Sequence, residues 1–311
     1  MKNLMKRING GNSMKKDFEK FNIPTVKKID DKAMSKIVDK IMNTPLTRDF
    51  VDKFNLSNKE IMDNFLPLLI CAENQECCRN CKGYEDCKLS GVKGYYNVPI
   101  IDFYGTISTE FKACVYQEER NLFIYRDFDD EKLKWSLKLE DTKIPGRVSL
   151  INLLGDLTIN KNTKGIFIHG ENGVGKSYLA ICCANNLVKR MKKEVAYVSV
   201  KDFISSMTQL IYSDKTLFEE KLEIIKNAPY LFLDGLGNEK ISKFTRDDIL
   251  LNIFEYRKNK GLKNIVIISK YDFNDLRKLY KVDNDLQAKS FVDLIKYLTN
   301  EVELVGLNNY E

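Results

Sequence analysis

Residues 165–177 read GIFIHGENGVGKS, an apolar run that ends in the spacing G-x-x-x-x-G-K-S, with the helix-like Tyr178, Leu179, Ala180 and Ile181 directly after it. A strand that breaks into glycines and restarts as a helix limits the possible folds more than any other feature of the chain. Gly170, Gly173 and Gly175 allow backbone conformations closed to other residues, so successive N–H groups and the positive end of the next helix converge on one point. Phosphate oxygens suit that point. Lys176 is placed to reach the β- and γ-phosphates of a nucleoside triphosphate such as ATP, and Ser177 to hold Mg²⁺, while Val174 and Tyr178 complete the cradle. A chance glycine-rich turn would have to imitate both the strand before it and the helix after it.

Further along, Val195 to Val200, Tyr230 to Asp234 and Ile265 to Ser269 are short runs of consecutive apolar residues. Such runs suit parallel strands covered on both faces. Helix patterns lie between them, one opened by the capping-box-like Thr245 to Asp248 and closed by Lys260 and Gly261. The expectation is an α/β, doubly wound parallel sheet with the phosphate loop after its first strand. Asp234 ends its strand where an acid that holds Mg²⁺ belongs; the plainer reading is an Asp capping a turn. The next residue is Gly235, where many ATPases carry the acid that activates water. Glu239 either substitutes from the loop or is merely solvated. Ser269 could offer a polar group to the γ-phosphate, and Lys270 beside it either contacts phosphate or is a surface lysine.

A chain of 311 residues suits two domains, and 43% apolar with 30% charged residues is ordinary for a globular protein. No stretch approaches the ~18 apolar residues of a membrane span, and Met1 to Arg7 lacks the apolar core of a signal peptide. A cytoplasmic protein with no membrane contact is expected. The net charge of +6 is interleaved along the chain. It permits contact with nucleic acid without demonstrating it, and clusters such as Lys189 to Lys193 read as solvated helix ends.

Five of the eight cysteines gather as Cys77, Cys78, Cys81, Cys87 and Cys114. Two thiolates separated by two residues grip one tetrahedral ion from a single turn, and a later pair closes the site. In a reducing compartment a metal explains such a knot better than disulfides do. Cys78, Cys81, Cys87 and Cys114 are the expected ligands of a structural Zn²⁺, with Cys77 the alternative to Cys78. Cys71, Cys182 and Cys183 read as small buried hydrophobes.

Residues 1 to about 62 show helical spacing, as at Ile37, Ile41, Phe50 and Phe54, and Tyr95 to Phe111 alternate like a hairpin around a glycine turn. The expected organisation is a helical and zinc-binding domain over 1–115, a linker and lead-in over 116–147 ending at Pro145 and Gly146, and the α/β domain over 148–311.

Taken together, these residues resemble the bacterial replicative-helicase loaders of the DnaI/DnaC type, within the AAA+ ATPases. The resemblance spans most of the chain. It rests on the cysteine knot running into Gly94-Tyr95-Tyr96, on Gly173 to Leu179, and on Leu233-Asp234-Gly235-Leu236-Gly237. Further along it includes Arg246-Asp247-Asp248, Tyr256-Arg257, Lys296-Tyr297-Leu298 and Val305 to Asn308. It implies an AAA+ core that binds ATP and Mg²⁺, contacts single-stranded DNA and assembles head to tail. It also implies an N-terminal domain that holds a hexameric DnaB-type helicase, and DNA contacts near Lys201 and Asp202.

Several positions depart from that family. Gly235 replaces a second acid, Lys270 an Asn, Ser290 and Leu294 arginines, and Asn309-Tyr310 a basic pair. One of the arginines normally completes a neighbour's site and contributes ~10³ or more in rate. The resemblance therefore implies ATP acting mainly as a binding switch with weak hydrolysis. Two other readings stand beside it: a transposition-helper ATPase of the IstB type, which normally lacks the cysteine module, and a non-hydrolysing ATP-binding adaptor for the helicase.

Overall fold

The structure is a computed structural model that describes residues 30–89, 91–143, 146–159 and 164–306. The helical reading of 1–29, together with Pro145, Leu307, Asn308, Asn309 and Tyr310, lies outside the described residues. The chain divides between Cys114 and Val115 into two compact units.

The first unit begins with α1 (Asp31–Asn43), α2 (Pro45–Phe54), α3 (Asn58–Asp63) and α4 (Phe65–Arg79), and ends in the antiparallel hairpin of β1 (Tyr95–Ile101) and β2 (Ile107–Ala113). Local chemistry sets the helix starts. Asp30 accepts from Ala33 N–H at 2.6 Å, Pro45 opens α2, and Ser57 with Glu60 forms a reciprocal capping box. Ile41, Phe50, Val51, Ile61, Leu68 and Ile107 form the core. Phe50 and Phe54 share α2, as their spacing implies; Phe50 is buried, whereas Phe54 is exposed with its ring centroid 4.8 Å from that of Phe50. Cys71 is fully buried, and burial pushes its thiol up to about 12.

The second unit runs α5 (Val115–Asn121), β3 (Phe123–Arg126), α6 (Arg147–Thr158), β4 (Gly165–His169), α7 (Lys176–Lys189), β5 (Val195–Ser199), α8 (Val200–Ser213) and α9 (Lys215–Asn227). It continues through β6 (Tyr230–Leu236), a π-helical stretch Phe244–Leu251 leading into α10 (Asn252–Lys260), β7 (Ile265–Ser269), α11 (Phe273–Leu279), α12 (Asp285–Leu298) and β8 (Thr299–Glu303). The six strands form one parallel sheet in the order β3-β5-β6-β7-β4-β8. Alternate strand residues feed two cores. Phe167, Val198, Leu233 and Ile267 pack on one face, and Ile166, Ile168, Tyr197, Phe232 and Val266 on the other.

The stretch expected as linker and lead-in instead supplies the edge strand β3 and the 3₁₀ turns Asp130–Lys134 and Leu139–Lys143, which pack in this unit. Four residues pairing on one side only need no long apolar run, so β3 carries no strong strand signal. Thr245 is likewise no N-cap. It is buried inside the π-helical stretch, where its N–H donates to Ser242 Oγ at 3.1 Å and its own hydroxyl to Lys240 O at 3.0 Å.

Candidate nucleotide-binding site

Strand order brings the site together. The phosphate loop follows β4, Asp234 lies on β6, and β7 runs between them, so all three strands end on one edge of the sheet. Ligands of open α/β sheets bind outside that carboxyl edge. A cavity of about 850 Å³ lies there, lined among others by Asn172, Gly173, Lys176, Ser177, Asp234 and Ser269.

Gly170, at φ 141°, is approached so closely by the chain after β8 that a Cβ would sit 2.3 Å from Leu304 O. Gly175, at φ 98°, opens α7 with no side-chain cap, which leaves the first-turn N–H groups facing the loop. Lys176 Nζ folds back over the loop and donates to Gly170 O and Glu171 O, each at 2.6 Å. Burial lowers its pKa, and the charges of Asp234 and Glu171 oppose that shift. A triphosphate would take over this ammonium from the two carbonyls.

Ser177 Oγ donates to Asp234 Oδ1 at 2.9 Å, and Tyr197 OH to Asp234 Oδ2 at 2.7 Å. Burial raises the Asp234 pKa against these two bonds and the nearby Lys176. The residues fit a nucleotide–Mg²⁺ complex: the Ser–Asp pair is assembled, its carboxylate is oriented, and the lysine stands beside it. Val174 contributes backbone alone. Its side chain is core and its carbonyl accepts from Arg147 Nη2 at 3.0 Å. Tyr178 lines the cavity, and its hydroxyl donates to Asp141 Oδ2 at 2.8 Å.

Ser269 lines the cavity but is fully committed. Its hydroxyl donates to Leu236 O at 2.7 Å and accepts from Tyr271 N–H at 3.0 Å. Gly235, at φ 82°, occupies a bulge that shifts the β6–β7 register between Asp234 and Leu236. The missing second acid is thus a backbone matter as well as a side-chain one. Glu239 is buried rather than solvated, with Gly237 N–H donating to Oε2 at 2.8 Å and Tyr280 OH to Oε1. Lys270 is exposed, with Nζ 4.6 Å from the Tyr271 ring centroid. Leu294 is a core residue of α12, and Ser290 is exposed.

Sequence reasoning missed Arg147, Asp141, Tyr197 and Asp127. Arg147 pairs with Asp141 at 2.9 Å and braces the loop at Val174. Asp127 follows β3 and lines the same cavity, accepts from Ser199 N–H at 3.1 Å, and is raised by burial to about 6. None of these lies in a recognisable spacing, because each reaches the site from a different element.

In the first unit, Cys78 lies in the last turn of α4, Cys81 and Cys87 flank the 3₁₀ turn Tyr84–Asp86, and Cys114 follows β2. Burial, then the fields of Cys81, Cys87, Cys114 and Cys77, push Cys78 up to about 11, so the thiols are neighbours. Among the described residues, however, no three His, Cys, Asp or Glu side chains converge on a metal position. Cys182 and Cys183 are buried as expected, and burial pushes Cys183 up to about 12. Among the described residues no helix is long and apolar enough to cross a membrane.

The sequence profile of the IstB-like ATP-binding protein family matches residues 139–309, which contain the phosphate loop, Tyr197 and Asp234. The chain belongs to that family. This IstB-like chain is 22% identical over 284 residues to the replicative helicase loader DnaI of Bacillus subtilis (strain 168), covering 83% of the chain and 88% of the relative. The crystal structure of DnaI superposes with a TM-score of 0.51 at 27% identity, over 61% of this chain and 98% of that one. The α/β core is therefore the AAA+ core expected from the resemblance. A 167-residue stretch is also 25% identical to the chromosomal replication initiator protein DnaA of Buchnera aphidicola subsp. Cinara cedri, over 52% of this chain and 36% of that relative.

Proposed function

We propose that this protein loads a hexameric DnaB-type replicative helicase onto single-stranded DNA, with ATP and Mg²⁺ acting mainly as a binding switch. The observation that carries this reading is the extent of the likeness to DnaI. It runs over 83% of the chain, more than the 171 residues matched by the IstB-like profile could supply alone. A transposition helper would account for the second unit only. Within the loader reading, the first unit holds the helicase and the second reports nucleotide.

When bound, Mg²⁺ would neutralise negative charge on the phosphates. Ser177 and Asp234 would hold it, Tyr197 orients Asp234, and Lys176 moves from the loop carbonyls to the phosphates. Slow hydrolysis follows from three features: the Gly235 bulge, the pinning of Glu239 to Tyr280, and a core leucine at position 294. The same features support the adaptor alternative. Zinc on Cys78, Cys81, Cys87 and Cys114 belongs to this proposal through the nearness of the thiols. Elemental analysis finding no zinc in protein that stays folded under chelator would remove it.

The test is helicase capture and delivery to single-stranded DNA by wild-type and Lys176→Ala protein. Delivery that stalls in the variant supports a nucleotide-gated loader. Unchanged delivery turns the protein into an adaptor, and no capture at all rejects both.

A further inference from the structure

At the edge of the parallel sheet remote from the phosphate loop, the segments that enter β4 and β7 meet the ends of α10 and α12. Lys164 precedes β4 and Lys263 precedes β7, so both lie at strand starts, whereas the phosphate loop leaves the end of β4. A cavity of about 200 Å³ opens here. Its charged walls are Lys164, Arg257, Lys258 and Lys263, and among the described residues no carboxylate lines it. Among the described residues none of these four side chains is in an ion pair with Asp or Glu.

Helix dipoles account for only part of this charge. A lysine in the last turn of α10 complements the negative helix end. Lys164 Nζ donates to Lys296 O in the last turn of α12 at 3.4 Å, whereas Lys263 is in a connecting segment. Arg257 is fully buried and bonds only carbonyls: Ala228 O at 2.7 Å, Lys226 O at 3.2 Å and Asn264 O at 3.0 Å. Its Nε has no partner among the described residues. Burial without a compensating carboxylate lowers its pKa to about 10. Arg257 thus closes the carbonyl end of α9, and among the described residues no carboxylate balances it or the three cations that line the cavity with it, an arrangement that an anion would relieve.

One wall is aromatic. Tyr297 is 59% exposed, and Lys258 Nζ lies 5.0 Å from its ring centroid. Cations that follow a backbone beside an open ring are the combination that holds single strands, since every base has a π face to stack. A duplex would leave the ring without a base.

We infer that this corner of the second unit binds single-stranded nucleic acid, its phosphodiester backbone held by Lys164, Lys258 and Lys263 and one base stacked on Tyr297. The site is separate from the nucleotide cavity and from the region near Lys201 and Asp202. It rests on the loader reading only in that a loader meets a single strand.

The test uses the full chain and a labelled oligothymidylate of about twenty nucleotides, followed by fluorescence anisotropy across a salt series. Lys258→Gln with Lys263→Gln is expected to weaken binding about tenfold and to reduce the salt slope by about 1.4, or about 0.7 for each lost phosphate contact. Tyr297→Ala is expected to weaken binding about tenfold with the slope unchanged. All three substitutions are at exposed positions, and ATP affinity should stay at the wild-type value as the check on folding. Unchanged oligonucleotide affinity in both variants overturns the inference. So does a Tyr297→Ala protein with full affinity alongside equally tight inorganic polyphosphate binding, which would make this a free-anion site. Wild-type protein that captures helicase but ignores the oligonucleotide overturns the inference and leaves the loader reading standing.

Discussion

The Ser177 hydroxyl donates to Asp234 Oδ1 at 2.9 Å, although 57 positions separate the two residues. One begins α7 and the other approaches the end of β6, so their contact depends on the strand order that places β7 between β4 and β6. A divalent ion entering here would replace a proton bridge that already exists.

Lys176→Ala should weaken ATP binding between about 10- and 100-fold, the range of a lost hydrogen bond to a charged group at about 1.5–3 kcal/mol. Titration calorimetry measures it, and circular dichroism checks that the fold persists. Affinity equal to wild type would mean that the lysine stays on Gly170 O and Glu171 O when nucleotide is bound.

Asp234→Asn separates metal binding from folding. The folded-state pKa of Asp234 is raised by burial, so the folded protein holds this proton more tightly than the unfolded chain does. The resulting cost is absent below about pH 4 and grows as pH rises through the folded value. The variant should therefore be the more stable protein near neutrality without nucleotide, with no such gain below about pH 4. Mg²⁺ should no longer strengthen its ATP binding. Denaturant melts at the two pH values and calorimetry with and without Mg²⁺ report the two effects.

Gly235→Glu restores an acid at a position the backbone does not favour. The residue sits at φ 82°, and its Cβ would lie 3.1 Å from Asn238 Nδ2. A loss of about 1–2 kcal/mol in stability is expected, with no rise in phosphate release. Hydrolysis that rises on this substitution would show that only the side chain had been missing.

Tyr280→Phe removes the hydroxyl that donates to the buried Glu239 carboxylate. Leaving that group short of a partner should cost about 1–3 kcal/mol, which thermal unfolding reports as a drop of several degrees. Glu239→Gln should leave ATP turnover at its wild-type level, because this carboxylate is tied to Gly237 and Tyr280. Turnover that collapses in Glu239→Gln protein would make it the missing base.

The four inner strands could be read from the chain because strands covered on both faces must be apolar at consecutive positions, as at Ile265 to Ser269. Edge strands escape that demand. β8, Thr299–Glu303, carries two exposed acids and an exposed asparagine, and β3 is only four residues long, so neither has a run to find. Polar side chains that reach the site from outside its motifs are harder still. Tyr197 reads as one apolar strand residue among others until its hydroxyl is seen on Asp234, and Glu239 reads as a solvated loop acid until Tyr280 covers it.

By itself, the sequence determined the phosphate loop, the magnesium-side serine and aspartate, and the alternation of strand and helix. These depend on local backbone freedom and on the burial period of each segment. Only the tertiary structure decided which carboxylates face the cavity, why position 235 is a glycine, that the thiols are neighbours, and that, among the described residues, cations without a carboxylate partner collect at the far edge of the sheet. Each of these depends on residues distant in sequence packing together, and no local pattern records such contacts.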